Sequence, residues 1–127
     1  MMGRARAALC GCAGVHAIQD GLGAVTYVLL PILGEAFGLS YAQIGAIRAS
    51  TNAAMAAFEI PSGLLSERLG ERVLLVFGLT VAGLAFVTLQ GATGFGTVAA
   101  CLFVAGVGAA FQHALSSAIV TNTSPEV

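Results

Sequence analysis

Ser66-Glu67-Arg68-Leu69-Gly70-Glu71-Arg72 is the stretch on which the fold turns. It gathers four of the chain's eleven charged residues (five arginines and six acids) into seven positions. A run of apolar and small residues, 41–65, precedes it, and another, 73–89, follows. Crossing the hydrocarbon core of a bilayer takes roughly 20 mostly apolar residues in a helix. The charged stretch is therefore expected to be a water-facing connection between two membrane-spanning helices.

Two further apolar runs flank this pair, 7–33 and 96–120. Gly34-Glu35-Ala36-Phe37-Gly38-Leu39-Ser40 separates the first from the second, and Gln90-Gly91-Ala92-Thr93-Gly94 the third from the fourth. The expected fold is all-α: a polytopic membrane protein of about four transmembrane helices, forming a single membrane domain over 1–127. Short connections make successive helices antiparallel neighbours. No stretch alternates as a barrel strand would. Composition points the same way, with 57% hydrophobic residues, 9% charged and a mean hydropathy of +0.93. A soluble domain carries about 25% charged residues, and this chain has too few to cover a soluble core.

A net charge of −1 and the absence of lysine give no basic patch, so no nucleic-acid partner is expected. Cys10, Cys12 and Cys101 are odd in number and lie in apolar stretches, which supplies neither a disulfide framework nor a zinc spacing. Arg4 and Arg6 precede the first run, Arg68 and Arg72 lie in the second connection, and the other two connections have no arginine. By the positive-inside rule both termini and the second connection face the cytoplasm. The chain is thus expected in a cell membrane (inner or plasma) as a multi-pass protein. Arg4 and Arg6 could also open a signal peptide, but the run after them soon meets His16, Gln19 and Asp20, and Ala7 stands where a lipoprotein signal wants leucine. The segment is expected to be a retained first helix.

Polar residues inside the spans carry the functional reading. In the first helix His16, Asp20, Gly23 and Tyr27 share a face at helical spacing. A carboxylate at mid-span costs roughly 2.5–3.5 kcal/mol on insertion scales, so it is seldom kept without a role or a partner. Asp20 is then either a group that takes up and releases a proton, or a structural counter-ion for Arg48, its nearest partner by depth. His16 and Asp20 could begin a metal site, but a third ligand is lacking. In the second helix Arg48, Asn52, Met55, Glu59 and Ser62 form a polar stripe that faces protein or a water-filled pathway. Arg48 and Glu59 are about 16 Å apart along the axis, too far to pair. Arg48 could instead snorkel to the outer headgroups. The fourth helix offers Gln112, His113, Ser116, Ser117 and Thr121, with Gly106, Ala110, Ala114 and Ala118 as a small-residue stripe suited to close packing. Ala13-Gly14-Val15 recurs as Ala105-Gly106-Val107, a glutamine following in each case (Gln19, Gln112). The third helix, with only Thr80 and Thr88 polar, is expected to be the most lipid-exposed.

The second connection with its lead-in, Glu59-Ile60-Pro61-Ser62-Gly63-Leu64-Leu65-Ser66-Glu67-Arg68-Leu69-Gly70-Glu71-Arg72, resembles the loop between helices two and three of the major facilitator superfamily. That pattern is a glycine, a small residue, an acid, an arginine, a glycine and then basic residues. Glu67 departs from the usual aspartate and Glu71 from a usual basic residue. Gly63 and Gly70 would allow close helix approach and a tight turn, and Glu67, Arg68 and Arg72 would offer charge contacts made in one conformation and broken in another, a gating loop. His16 with Asp20, and Phe111, His113, Ser116 and Ser117, are similar to the fosmidomycin-resistance branch.

The resemblance implies a partial six-helix half of a twelve-helix transporter, truncated where Thr123-Ser124-Pro125-Glu126-Val127 enters the loop after helix four. It implies secondary active, proton-coupled efflux of a small molecule by alternating access, with the missing C-terminal helices, the lipid bilayer, a small-molecule substrate and the proton as partners. Residues 16, 19, 20, 27, 48, 52, 59, 112 and 113 would line the pathway. Two other readings remain open: a self-sufficient four-helix exporter of the small multidrug-resistance type, dimeric through a first-helix carboxylate, and a non-transporting membrane assembly partner. No nucleophile–base pair or metal constellation points to an enzyme, and no cofactor is implied.

Overall fold

A computed structural model describes residues 2–123 as four helices: α1 (Met2–Phe37), α2 (Tyr41–Leu69), α3 (Glu71–Thr88) and α4 (Phe95–Thr123), with one 3₁₀ turn at Leu89–Gly91. There is no strand among the described residues. α1, α2 and α4 outrun the spans expected from sequence, α3 starts two residues early and ends one short, and the first two connections shrink to match. Gly38 lies at φ +62° and lets α1 end in a left-handed cap, in which the Leu39 N–H donates to Gly34 O at 2.8 Å. Two residues later Ser40 and Gln43 cap α2 reciprocally: Ser40 Oγ accepts from the Gln43 N–H (3.3 Å) and Gln43 Oε1 from the Ser40 N–H (2.9 Å). The connection expected over 66–72 reduces to Gly70 alone, at φ +88° and ψ 137°, a backbone that favours glycine. Thr97 Oγ1 accepts from the N–H groups of Thr93 and Gly94 at the start of α4.

Among the described residues, three helical stretches are long and apolar enough to cross a membrane: Leu9–Phe37, Glu71–Gly91 and Phe95–His113. Four spans were expected. α2, at 29 residues or about 43 Å, has the length, but its stripe of Arg48, Asn52 and Glu59 lowers its apolarity. Hydroxyls within the helices bond to their own backbone, as Thr26 does to Leu22 O and Thr51 to Ile47 O, so they need no water. The outside is apolar: Val28, Ile60, Leu64, Val73, Val76 and Leu84 are all exposed. For a bundle that meets lipid this is the expected surface.

α4 is the hub. Against α3 the backbones touch: a Cβ at Gly108 would stand 2.6 Å from Gly78 O and 2.7 Å from the Ala82 N. Against α2, a Cβ at Gly106 would fall on the Thr51 carbonyl, and Ser62 Oγ, donating to Glu59 O at 2.7 Å, also lies 3.4 Å from Ala110 O. Gly106 and Ala110 are thus the described part of the small-residue stripe; the side chains of Ala114 and Ala118, like those of Ser116, Ser117 and Thr121, lie outside the described ones. α3 is not the most exposed helix. A third of its span is buried, chiefly Leu74, Leu75, Gly78, Ala82 and Ala85 on α4, against 17% for α1. Small residues rather than polar ones decide that face, and polarity alone misses it.

Two apolar clusters close the bundle. Cys12, Leu74, Leu75, Phe111 and Leu115 pack near the Gly70 end. Leu30, Ile47, Leu89, Val98 and Leu102 pack near the other.

Candidate functional site

Between these clusters a cavity of about 520 Å³ opens among α1, α2 and α4. Asp20 enters it from the middle of α1, with Gln19 and Tyr27; Arg48, Thr51, Asn52 and Met55 enter from α2; Gly106 and His113 from α4; and Phe86 from α3. Six of the nine pathway residues expected from sequence therefore line one cavity: 19, 20, 27, 48, 52 and 113.

His16 and Gln112 adjoin it. Gln112 is fully buried, and its Nε2 lies 2.7 Å from His16 Nδ1. An amide NH₂ can only donate, so Nδ1 accepts and the imidazole proton sits on Nε2. That nitrogen is 3.1 Å from Asp20 Oδ2. The result is a continuous run of polar contacts, Gln112 to His16 to Asp20, from the buried interior of α4 to an exposed carboxylate. The His113 ring meets His16 edge-on with centroids 6.1 Å apart.

Glu59, the ninth residue, is exposed and does not line the cavity. The stripe of α2 divides: Arg48, Asn52 and Met55 face the cavity, while Ser62 is buried against α4. Arg48 and Asp20 share the cavity but not an ion pair. The guanidinium carbon lies 4.0 Å from the centroid of the Tyr27 ring, and the side chain that meets Asp20 is His16. Similar depth on two helices brings residues near; the angular position of each side chain decides contact, and here it gives Arg48 an aromatic partner. Nor does Arg48 snorkel away from the bundle.

At the Gly70 end, Glu67, Arg68 and Arg72 are exposed. Gly70 supplies the tight turn, whereas a Cβ at Gly63 would meet nothing within 4 Å, so no close approach depends on that position here. Sequence reasoning missed Thr26, Thr51 and Phe86. Thr51 stands three residues after Arg48 on the same face and was findable; Phe86, an aromatic in a uniformly apolar helix, carries no such signal.

An all-helical bundle with an apolar exterior and a polar cavity halfway along its helices is a multi-pass membrane protein. The profile of the Major Facilitator Superfamily matches residues 9–127, and the chain belongs to that family. It is 30% identical over 98 residues to the uncharacterized MFS-type transporter YfnC of Bacillus subtilis (strain 168), a match covering 77% of this chain and 24% of that protein. The chain thus spans about a quarter of the length of this relative. No solved structure gives a significant match.

Proposed function

We propose that these four helices act within a secondary active transporter that expels a small molecule in exchange for protons by alternating access, completed by further helices beyond those in this chain. One observation carries the reading: a titratable pair, His16 with Asp20, stands at the edge of a polar cavity at mid-helix, bounded by apolar clusters toward both ends. A carboxylate at that depth is costly to keep. In this reading Asp20 binds the coupling proton, His16 relays it, and Arg48, Asn52 and Gln19 meet the substrate. The exposed Glu67, Arg68 and Arg72 form and break contacts with the missing half as access alternates. Both termini and the Gly70 turn face the cytoplasm of a cell-membrane protein.

Asp20→Asn in the complete transporter tests the coupling. The variant keeps shape and hydrogen bonding but has no titratable proton, so it should insert normally yet fail to move substrate against a gradient. Normal uphill transport would remove Asp20 from the mechanism. Single-cysteine labelling tests the orientation: a cysteine at position 94 should react from outside and one at position 70 only from inside.

A further inference from the structure

We propose that the cavity takes a small amphoteric molecule, its anionic group bound by Arg48 and its basic amine by Asp20. The proposal rests on the reading of this cavity as the substrate site and adds the chemical class of the occupant.

A cation and an anion line one cavity of about 520 Å³, and among the described residues they do not pair with each other. Opposite charges free to meet in a partly desolvated space attract strongly, so something must hold them apart. Tyr27 holds the guanidinium over its ring at 4.0 Å, and His16 holds the carboxylate at 3.1 Å. Stacking on a ring face occupies the flat side of a guanidinium and leaves its N–H edge available for a bidentate carboxylate or similar planar anion. No carboxylate among the described residues takes that edge. Asp20 Oδ2 is engaged by a neutral imidazole, a partner that an ammonium group can replace with a stronger, charge-assisted bond.

The spacing limits the ligand. Tyr27, which fixes Arg48, stands seven residues beyond Asp20 on α1, about 10 Å along the axis at 1.5 Å per residue. The two anchors thus stand about two helical turns apart on α1, which suits a ligand whose charges are separated by several bonds better than one whose charges are adjacent. Under the proposal an α-amino acid falls short of the two anchors and a longer chain, of about five carbons, reaches both. Asn52 and Thr51 offer polar contacts between the two charges, and Met55 and Phe86 an apolar wall. The titratable or charged groups around Asp20 are His16 and Tyr27 on α1, Arg48 on α2 and His113 on α4; α3 contributes only Phe86 to the lining.

Calorimetric titration of the full chain in lipid nanodiscs with 5-aminopentanoate, pentanoate, pentylamine and glycine tests this. The wild type should bind 5-aminopentanoate at least about tenfold more tightly than the other three, a difference of about 1.4 kcal/mol. Arg48→Gln should bring its affinity down to that of pentylamine, and Asp20→Asn to that of pentanoate. Equal affinity for all four probes, no binding up to millimolar concentration, or an unchanged preference in both variants would overturn the proposal. Should either variant fail to insert, the wild-type series decides alone. Because the readout is binding, the outcome stands apart from whether Asp20 couples transport to protons.

Discussion

Arg48 of α2 rests on the ring of Tyr27 of α1, its guanidinium carbon 4.0 Å from the ring centroid, in a cavity that also holds Asp20. The contact ties α1 to α2, two helices that otherwise pack chiefly through α4. It also removes Arg48 from competition for the carboxylate, leaving Asp20 to His16.

That contact makes a direct prediction about stability. Tyr27→Leu keeps an apolar side chain but removes the ring quadrupole, and should cost about 0.5–2 kcal/mol. Tyr27→Phe retains the face and should cost little. Asp20→Asn should not lower the yield of folded protein, since Arg48 does not depend on Asp20 for its charge partner. Unfolding in mixed detergent micelles measures all three, and a loss of folded Asp20→Asn that Arg48→Gln restores would show the two are counter-ions after all.

The glycines of α4 set a graded series. At Gly108 an added Cβ meets the backbone of α3, Gly78 O at 2.6 Å and Ala82 N at 2.7 Å, atoms that cannot rotate away. Gly108→Ala should therefore cost about 1–3 kcal/mol, the range for overpacking, and Gly106→Ala, facing the Thr51 carbonyl, a similar amount. Gly63→Ala, with open space around it, should be neutral. Equal tolerance at all three positions in the same micelle assay would contradict the packing described.

Much of the fold was legible in the sequence because membrane insertion depends on coarse properties. Four apolar runs, short connections and charges gathered at 66–72 were enough to order the helices. Lengths were less legible. Glu67 and Arg68 suggested loop, but a single glycine able to adopt φ +88° turns the chain, so charged residues continue α2 to Leu69. The capping pair Ser40 and Gln43 is a signal in the sequence that marks the start of α2. In the site, periodicity puts Arg48, Asn52 and Met55 on one face of α2 and all three line the cavity, whereas Glu59 and Ser62 of the same stripe do not. Partners between helices were not legible: the contacts of Arg48 with Tyr27 and of His16 with Gln112 depend on how each helix is rotated, and one sequence holds no record of that.

Gly70 and Gly38 both lie at positive φ but in different regions, which separates their expected costs. Gly38, at φ +62°, occupies the left-handed helical well that asparagine also tolerates, so Gly38→Asn should be mild and Gly38→Ala should cost about 1–2 kcal/mol. Gly70, at φ +88° and ψ 137°, lies where almost only glycine goes, so both Gly70→Ala and Gly70→Asn should cost about 1–3 kcal/mol. Rescue of Gly70 by asparagine in the unfolding assay would contradict the backbone described here.

The last prediction concerns the proton on His16. Gln112 is fully buried and donates from Nε2 to Nδ1 of the imidazole, which places the ring proton on Nε2, toward Asp20. The tautomer of a histidine is fixed by the bond its other nitrogen makes. Nitrogen-15 spectra of histidine-labelled protein at neutral pH should show His16 with a bare Nδ1 and a protonated Nε2. Gln112→Leu removes the donor while keeping the bulk, so Asp20 alone holds the proton on Nε2 and the bare Nδ1 should lose the shift imposed by its hydrogen bond. Gln112→Glu offers an acceptor in place of the donor and should draw a proton onto Nδ1, leaving His16 positively charged between two carboxylates. Stability would fall in many variants of a buried residue, but only the relay orders the three spectra in this way. A His16 spectrum that stays the same in all three proteins would mean that Gln112 does not set its protonation, and the run from α4 to Asp20 would lose its first link.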